Sequence, residues 1–134
     1  MAPEPRLLAF YGTLMSRFDT LERLGVAGYL RLLGDCEIAG VLYDVGEWPT
    51  LVTGGGVVRG ELFEVLEEGV FARLDPFEDY RPADPAGSSF LRARATLIRP
   101  AVEAWVYVSN EPVDGARLIP SGSWYDWLAG RPGG

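Results

Sequence analysis

One stretch constrains the fold more than any other: Leu7-Leu8-Ala9-Phe10-Tyr11-Gly12-Thr13-Leu14-Met15. Its opening apolar run reads as a buried strand, and the glycine then stops it. Glycine is the usual punctuation after a strand, and taken alone the turn is most simply that. A Tyr-Gly-Thr turn also sets backbone N–H groups and a hydroxyl at the carboxyl end of a strand, a common place for a small-molecule site. Other parts of the chain have to decide between these readings.

The remaining pattern is one of short strands with a few short helices. Residues 18–26 carry Phe18, Leu21 and Leu24 at helical spacing, with Gly25 placed to end the helix. Tyr29 to Leu33 and Cys36 to Tyr43 read as strands bent at the Gly34-Asp35 break, and residues 48–52 as a short strand started by Trp48-Pro49. Gly54-Gly55-Gly56 lacks the Lys-Ser/Thr of a phosphate loop and precedes strand-like residues, so a hairpin turn is expected there. Residues 67–75 read as a helix with Val70, Phe71 and Leu74 on one face, ended by Pro76. Residues 81–88 are loop formers, and strands follow near 90–98 and 102–108. Residues 120–128 read as a turn leading into a capped short helix.

At 134 residues the chain is expected to be one domain, 1–134, with residues 1–6 and 130–134 flexible. The expected fold class is α+β: a small mixed β-barrel of six or more strands with two or three short helices.

Composition excludes more chemistry than it suggests. There is no histidine and no lysine, and one cysteine, Cys36. A Ser-His-Asp triad, a His-ligated metal, a structural zinc site, a Schiff base and a Walker-type lysine are therefore all ruled out within this sequence. Acid–base work would fall to a carboxylate, helped by hydroxyl or backbone donors. The net charge of −7, with no Arg-rich block, argues against nucleic acid as a partner. No apolar run approaches the roughly 20 residues of a membrane span, so no membrane partner is expected. The first residues lack signal-peptide character, and a cytoplasmic location is the default expectation. Strand edges and four tryptophans leave both a monomer and a homodimer open.

Among nineteen acidic residues, Glu78 differs. It lies in Leu74-Asp75-Pro76-Phe77-Glu78-Asp79-Tyr80, past the expected helix end and flanked by aromatics. An apolar wall disfavours the charged form and raises a carboxyl pKa, which suits a group that takes and returns protons near neutrality. The competing reading is a helix-terminal glutamate in a salt bridge with Arg81. Tyr107 also has two readings, a plain strand aromatic or a pocket-facing donor. It shares a strand face with Glu103, Trp105 and Ser109, opposite Val102, Ala104, Val106 and Val108.

Several segments together resemble the gamma-glutamylcyclotransferase-like family, which includes AIG2-like and gamma-glutamylamine cyclotransferase branches. Tyr11-Gly12-Thr13-Leu14 is similar to its Tyr-Gly-Ser/Thr signature. Gly40 to Pro49 resembles its strand and turn ahead of a proline, and Val58-Arg59-Gly60-Glu61-Leu62-Phe63 a family strand. Leu74-Asp75-Pro76-Phe77-Glu78 is similar to the segment whose final glutamate is catalytic. Phe90-Leu91-Arg92, Ala104 to Val108 and Ile119 to Trp124 match later family segments in order. Ser123 departs from the aspartate common there but suits a helix cap.

The resemblance implies an enzyme without metal or cofactor, acting on a small gamma-glutamyl amide. Glu78 would take a proton from the substrate's alpha-amine, which attacks its own gamma-carbonyl. Glu78 would then return the proton to the leaving nitrogen, releasing 5-oxoproline and an amine or amino acid. Tyr11, Gly12, Thr13 and Leu14 would hold the glutamyl group, and Tyr107 would support substrate or Glu78. Two alternatives stay open: removal of a gamma-glutamyl protecting group from a biosynthetic intermediate, and a non-catalytic binding module on the same fold.

Overall fold

The computed structural model describes residues 4–46 and 48–130. Of the termini expected to be flexible, residues 1–3 and 131–134 lie outside the described residues. Six strands form one mixed sheet, a half-barrel, ordered β4-β5-β1-β3-β2-β6. They are β1 Leu7–Phe10, β2 Leu30–Asp44, β3 Pro49–Val65, β4 Phe90–Thr96, β5 Glu103–Ser109 and β6 Arg117–Leu118. Three short α-helices accompany them among the described residues: α1 Thr20–Arg23, α2 Phe71–Phe77 and, after the last strand, α3 Trp124–Ala129. The expected mixed sheet with few helices is borne out. The two-residue β6 carried no sequence signal, and it pairs with the end of β2 at Tyr43 and Asp44.

β1 is central because its apolar run leaves no face for water. Leu8, Ala9, Phe10 and Tyr11 are all buried. It pairs antiparallel with β3, Leu7 opposite Glu64 and Phe10 opposite Glu61, and parallel with β5 at Leu8 and Trp105. In that parallel pair the carboxyl ends of β1 and β5 lie on the same side, so the Tyr11–Leu14 turn and Tyr107 emerge together.

The expected hairpin at Gly54–Gly56 is not there. β3 runs through it without reversing, because β2 is long enough to pair with both halves: Asp44 to Val41 with Pro49 to Val52, and Ala39 to Leu30 with Val57 to Val65. Residues 53–56 stand opposite Gly40 and swell the strand outward into a wide bulge. Glycine is required for that approach, since a Cβ on Gly56 would lie 2.6 Å from the Gly40 carbonyl oxygen. The true hairpin joins β2 to β3, where the Val45 amide donates to the Trp48 carbonyl at 3.2 Å.

The helix expected over 18–26 shrinks to α1. Gly25, at φ +74°, ends it as expected: the Val26 amide reaches back to Leu21 and the Gly25 amide to Glu22, both at 3.0 Å. The helix expected over 67–75 is a 3₁₀ turn, Glu68–Val70, running into α2. Pro76 does not end it; it lies inside the last turn. Its fixed φ suits a helix, and only one late hydrogen bond is lost. Asp75, which a following proline disfavours in helical geometry, is held there by side-chain bonds described below. The tail helix is capped as read, with the Ser123 hydroxyl accepting from the Asp126 amide at 3.2 Å.

Candidate active site

Glu78 is the C-cap residue of α2, and a left-handed turn fixes it there. Asp79, at φ 52°, takes the position where glycine is usual, the Tyr80 amide donates to Asp75 at 2.8 Å, and the Asp79 amide donates to Pro76 at 3.1 Å. Asp79 accepts the substitution because short polar side chains tolerate this geometry when tied down. Its carboxylate accepts from the Ser89 hydroxyl at 2.6 Å and its carbonyl from the Ser89 amide at 3.0 Å. The hydroxyl bond holds the Asp79 carboxyl below its usual pKa.

The salt bridge weighed for Glu78 is not formed. Arg81 approaches Asp79 and Asp84 instead, each at 3.8 Å. Among the described residues the Glu78 carboxyl has neither a hydrogen bond nor an ion pair. Desolvation alone pushes its pKa from an ordinary 4.5 to about 7. The direction is the one expected for a carboxyl with aromatic neighbours, the reading that stood against the Arg81 salt bridge.

The Tyr11–Leu14 turn is built from β1 and clamped from β3. The Met15 amide donates to the Gly12 carbonyl at 3.0 Å. Glu61 accepts both the Ser16 amide, at 2.5 Å, and the Ser16 hydroxyl, at 2.7 Å. Gly12 packs against Pro49, where a Cβ would sit 2.7 Å from Cγ. Among the described residues no acceptor meets the amides of Gly12, Thr13 and Leu14. The Leu14 side chain is core, so Leu14 offers the cleft its backbone.

Tyr11 and Tyr107 are structural ties as well as walls. The Tyr11 hydroxyl donates to the Tyr107 carbonyl at 2.6 Å and accepts from the Leu51 amide at 3.3 Å. The Tyr107 hydroxyl donates to Asp75 at 2.6 Å. Asp75 also receives Arg92, whose Nε is 3.0 Å and Nη2 3.3 Å from its two oxygens. Arg92 is the cross-strand partner of Tyr107 and lies over the rings of Phe71 and Trp105, 4.0 and 4.6 Å from their centroids. A continuous path therefore runs from the turn after β1, through β5, to the helix that carries Glu78. Tyr107 spends its one proton on Asp75, so it can offer a substrate only its lone pairs or its ring.

The two halves meet in one cleft of about 1220 Å³, lined by Tyr11–Leu14, Glu78, Tyr107 and the hairpin before β3. The charge of Glu78 reaches both tyrosines. Burial raises the pKa of Tyr11 most, and Glu78 adds to it. Burial also leads for Tyr107, followed by the hydrogen bond and charge of Asp75, with Glu78 contributing.

Asp75, Arg92 and the Glu61–Ser16 clamp were not assigned roles from sequence. The available signal was weak: a carboxylate next to the apolar helix position Leu74, and a strand arginine opposite a strand tyrosine. Among the described residues no cluster of three or more His, Cys, Asp or Glu is placed to hold a metal ion, and no helix is long and apolar enough to cross a membrane.

An unpaired carboxyl of raised pKa and unused backbone amides at a strand end line one cleft, an arrangement chemically able to hold a small molecule and move protons. Residues 8–126 match the model of the family described as gamma-glutamyl cyclotransferase, AIG2-like. The chain is 37% identical over 97 residues to the gamma-glutamylcyclotransferase family protein YtfP of Escherichia coli K12, covering 72% of this chain and 78% of that protein. It is 35% identical over 120 residues to a putative gamma-glutamylcyclotransferase of Vibrio cholerae, covering 88% and 94%. Its fold superposes on the solution structure of E. coli ytfP with TM-score 0.67 and 32% identity, covering 91% of this chain and 98% of that one. An AIG2-like protein from Mus musculus shares the fold at TM-score 0.68 and 21% identity, over 89% and 87%. The chain belongs to the gamma-glutamylcyclotransferase family.

Proposed function

We propose that this protein is a cyclotransferase that cleaves a gamma-glutamyl amide by intramolecular attack, with Glu78 as general acid and base. The observation that carries the reading is the placement of an unpaired carboxyl of pKa about 7 in one cleft with the Tyr11–Leu14 turn.

Ionised Glu78 takes a proton from the substrate's alpha-ammonium. The freed nitrogen attacks the gamma-carbonyl carbon and closes a five-membered ring. The carbonyl π electrons move to oxygen and return as the C–N bond to the leaving amine breaks. Glu78 passes its proton to that departing nitrogen, and the ring nitrogen, which still carries two hydrogens, gives its extra proton to the re-ionised Glu78 and thence to solvent, so the products are 5-oxoproline and a free amine. The amides of Gly12, Thr13 and Leu14 are the donors available for the carboxylate or the developing oxyanion, with the Thr13 hydroxyl beside them. Because the nucleophile belongs to the substrate, the turn's main work is to hold the attack conformer. Well-oriented intramolecular reactions reach effective molarities of about 10⁵ M or more.

The test is a panel of gamma-glutamyl amides offered to the wild type and to Glu78→Gln, with 5-oxoproline measured. The expected result is release by the wild type from at least one amide and a loss of about 10³-fold or more in the variant. A folded Glu78→Gln variant with full activity would remove Glu78 from the mechanism. No release from any amide would leave the cleft a binding site.

A further inference from the structure

The cleft is larger than a gamma-glutamyl group needs. Its volume of about 1220 Å³ exceeds the roughly 300–1,000 Å³ typical of pockets for drug-sized ligands. Charged residues such as Asp19, Arg23, Glu111 and Arg117 line part of the excess, and another part is walled by apolar groups that the fold leaves in water. Val45, Trp48 and Phe77 are 39, 48 and 44% exposed, and all three line this cleft. They come from separate elements: Val45 and Trp48 from the β2–β3 hairpin, and Phe77 from the end of α2, next to Glu78. Half-buried Phe18 and exposed Pro112 complete this wall from two further loops. The bonds that close the turn among the described residues are the Val45 amide to the Trp48 carbonyl and the Gly46 amide to the Asp44 carboxylate, neither of which uses the indole of Trp48.

The geometry points to an apolar subsite for the leaving amine, with Trp48 and Phe77 as its walls, that selects gamma-glutamyl amides of bulky aromatic or alkyl amines over those of small amino acids. The inference rests on the cyclotransferase reading. Phe77 and Glu78 line the same cleft, so the substituent of a leaving nitrogen that takes its proton from Glu78 shares that space with the Phe77 ring. An aromatic substituent there covers apolar surface and stacks on a ring, which a glycine leaving group cannot do.

The test compares gamma-glutamyl-phenethylamide with gamma-glutamyl-glycine. The wild type is expected to favour the first in kcat/KM by about tenfold or more, an energy in the range of one buried aromatic contact. Trp48→Ala is expected to cut that preference about tenfold, Trp48→Phe to restore most of it, and Ile98→Ala, which removes an exposed apolar side chain outside the cleft, to keep the wild-type ratio. Equal use of both amides, or a ratio unmoved by Trp48→Ala, overturns the subsite and leaves the cyclotransferase reading standing. Calorimetry with phenethylamine alone separates the two. Saturable binding that weakens in Trp48→Ala supports the subsite even if no amide yields 5-oxoproline, and absence of binding together with absence of turnover overturns both.

Discussion

Glu78→Gln should stabilise the folded protein, and by an amount set by pH. Burial raises the Glu78 carboxyl from about 4.5 to about 7. Between those values the native state keeps a proton that the unfolded chain has lost. The unfolded state then binds fewer protons, so stability falls as pH rises. At about 1.4 kcal/mol per pH unit, the gap amounts to about 3 kcal/mol once the pH is above 7. This is an upper value, because Glu78 is only half-buried and water screens part of the effect. Glutamine keeps the shape and cannot ionise. Urea unfolding of the wild type and Glu78→Gln across pH 4 to 8 isolates the effect, because every other titrating group is common to both proteins. The two should be nearly equal in stability near pH 4, with the variant gaining steadily to pH 7 and levelling off above it. A difference that is flat with pH, or that favours the wild type at pH 8, refutes the argument that Glu78 is held in the cleft without a partner.

If Glu78 must be ionised to accept the alpha-ammonium proton, kcat/KM for 5-oxoproline release should rise through an apparent pKa of about 7, a limb read from initial rates at fixed ionic strength. Tyr107→Phe removes the 2.6 Å donor from buried Asp75 and should cost about 1–3 kcal/mol of stability by denaturant unfolding. The same variant keeps the Tyr107 carbonyl that receives Tyr11, so its β1–β5 tie should survive; losing that tie would show as exchange of amides along β1. Gly12→Ala places a carbon 2.7 Å from the Pro49 ring and should destabilise by about 1–3 kcal/mol while lowering turnover at least tenfold, measured by calorimetric melting and 5-oxoproline release.

Much of this protein is set by local pattern. The apolar run Leu7–Phe10 becomes a central strand because nothing in it tolerates water. Gly25 and Ser123 end and start helices through their own backbone and side-chain chemistry, whatever surrounds them. The absence of histidine and lysine removes most catalytic chemistry at once, and the aromatics beside Glu78 foretell its raised pKa. Composition and near neighbours are enough for such conclusions.

Other features depend on partners distant in the chain. Gly54–Gly56 reads as a hairpin because glycine clusters make turns, yet β2 is long enough to pair with both flanks and keeps the chain extended. Pro76 reads as a helix stop, yet Arg92 and Tyr107 hold Asp75 in helical geometry one residue before it. The face of β5 that carries Trp105 and Tyr107 was ambiguous from alternation alone. Ala104 and Val106 are fully buried on one side, while α2 brings Phe71 against Trp105 and Asp75 onto Tyr107 on the other. Alternation reports that a strand has two faces; only the packing of a helix decides that both are covered. The site itself is of this second kind. Sequence supplied a turn and a carboxylate about 65 residues apart, and the parallel pairing of β1 with β5, joined through Tyr107 to Asp75 on α2, brings them to one cleft.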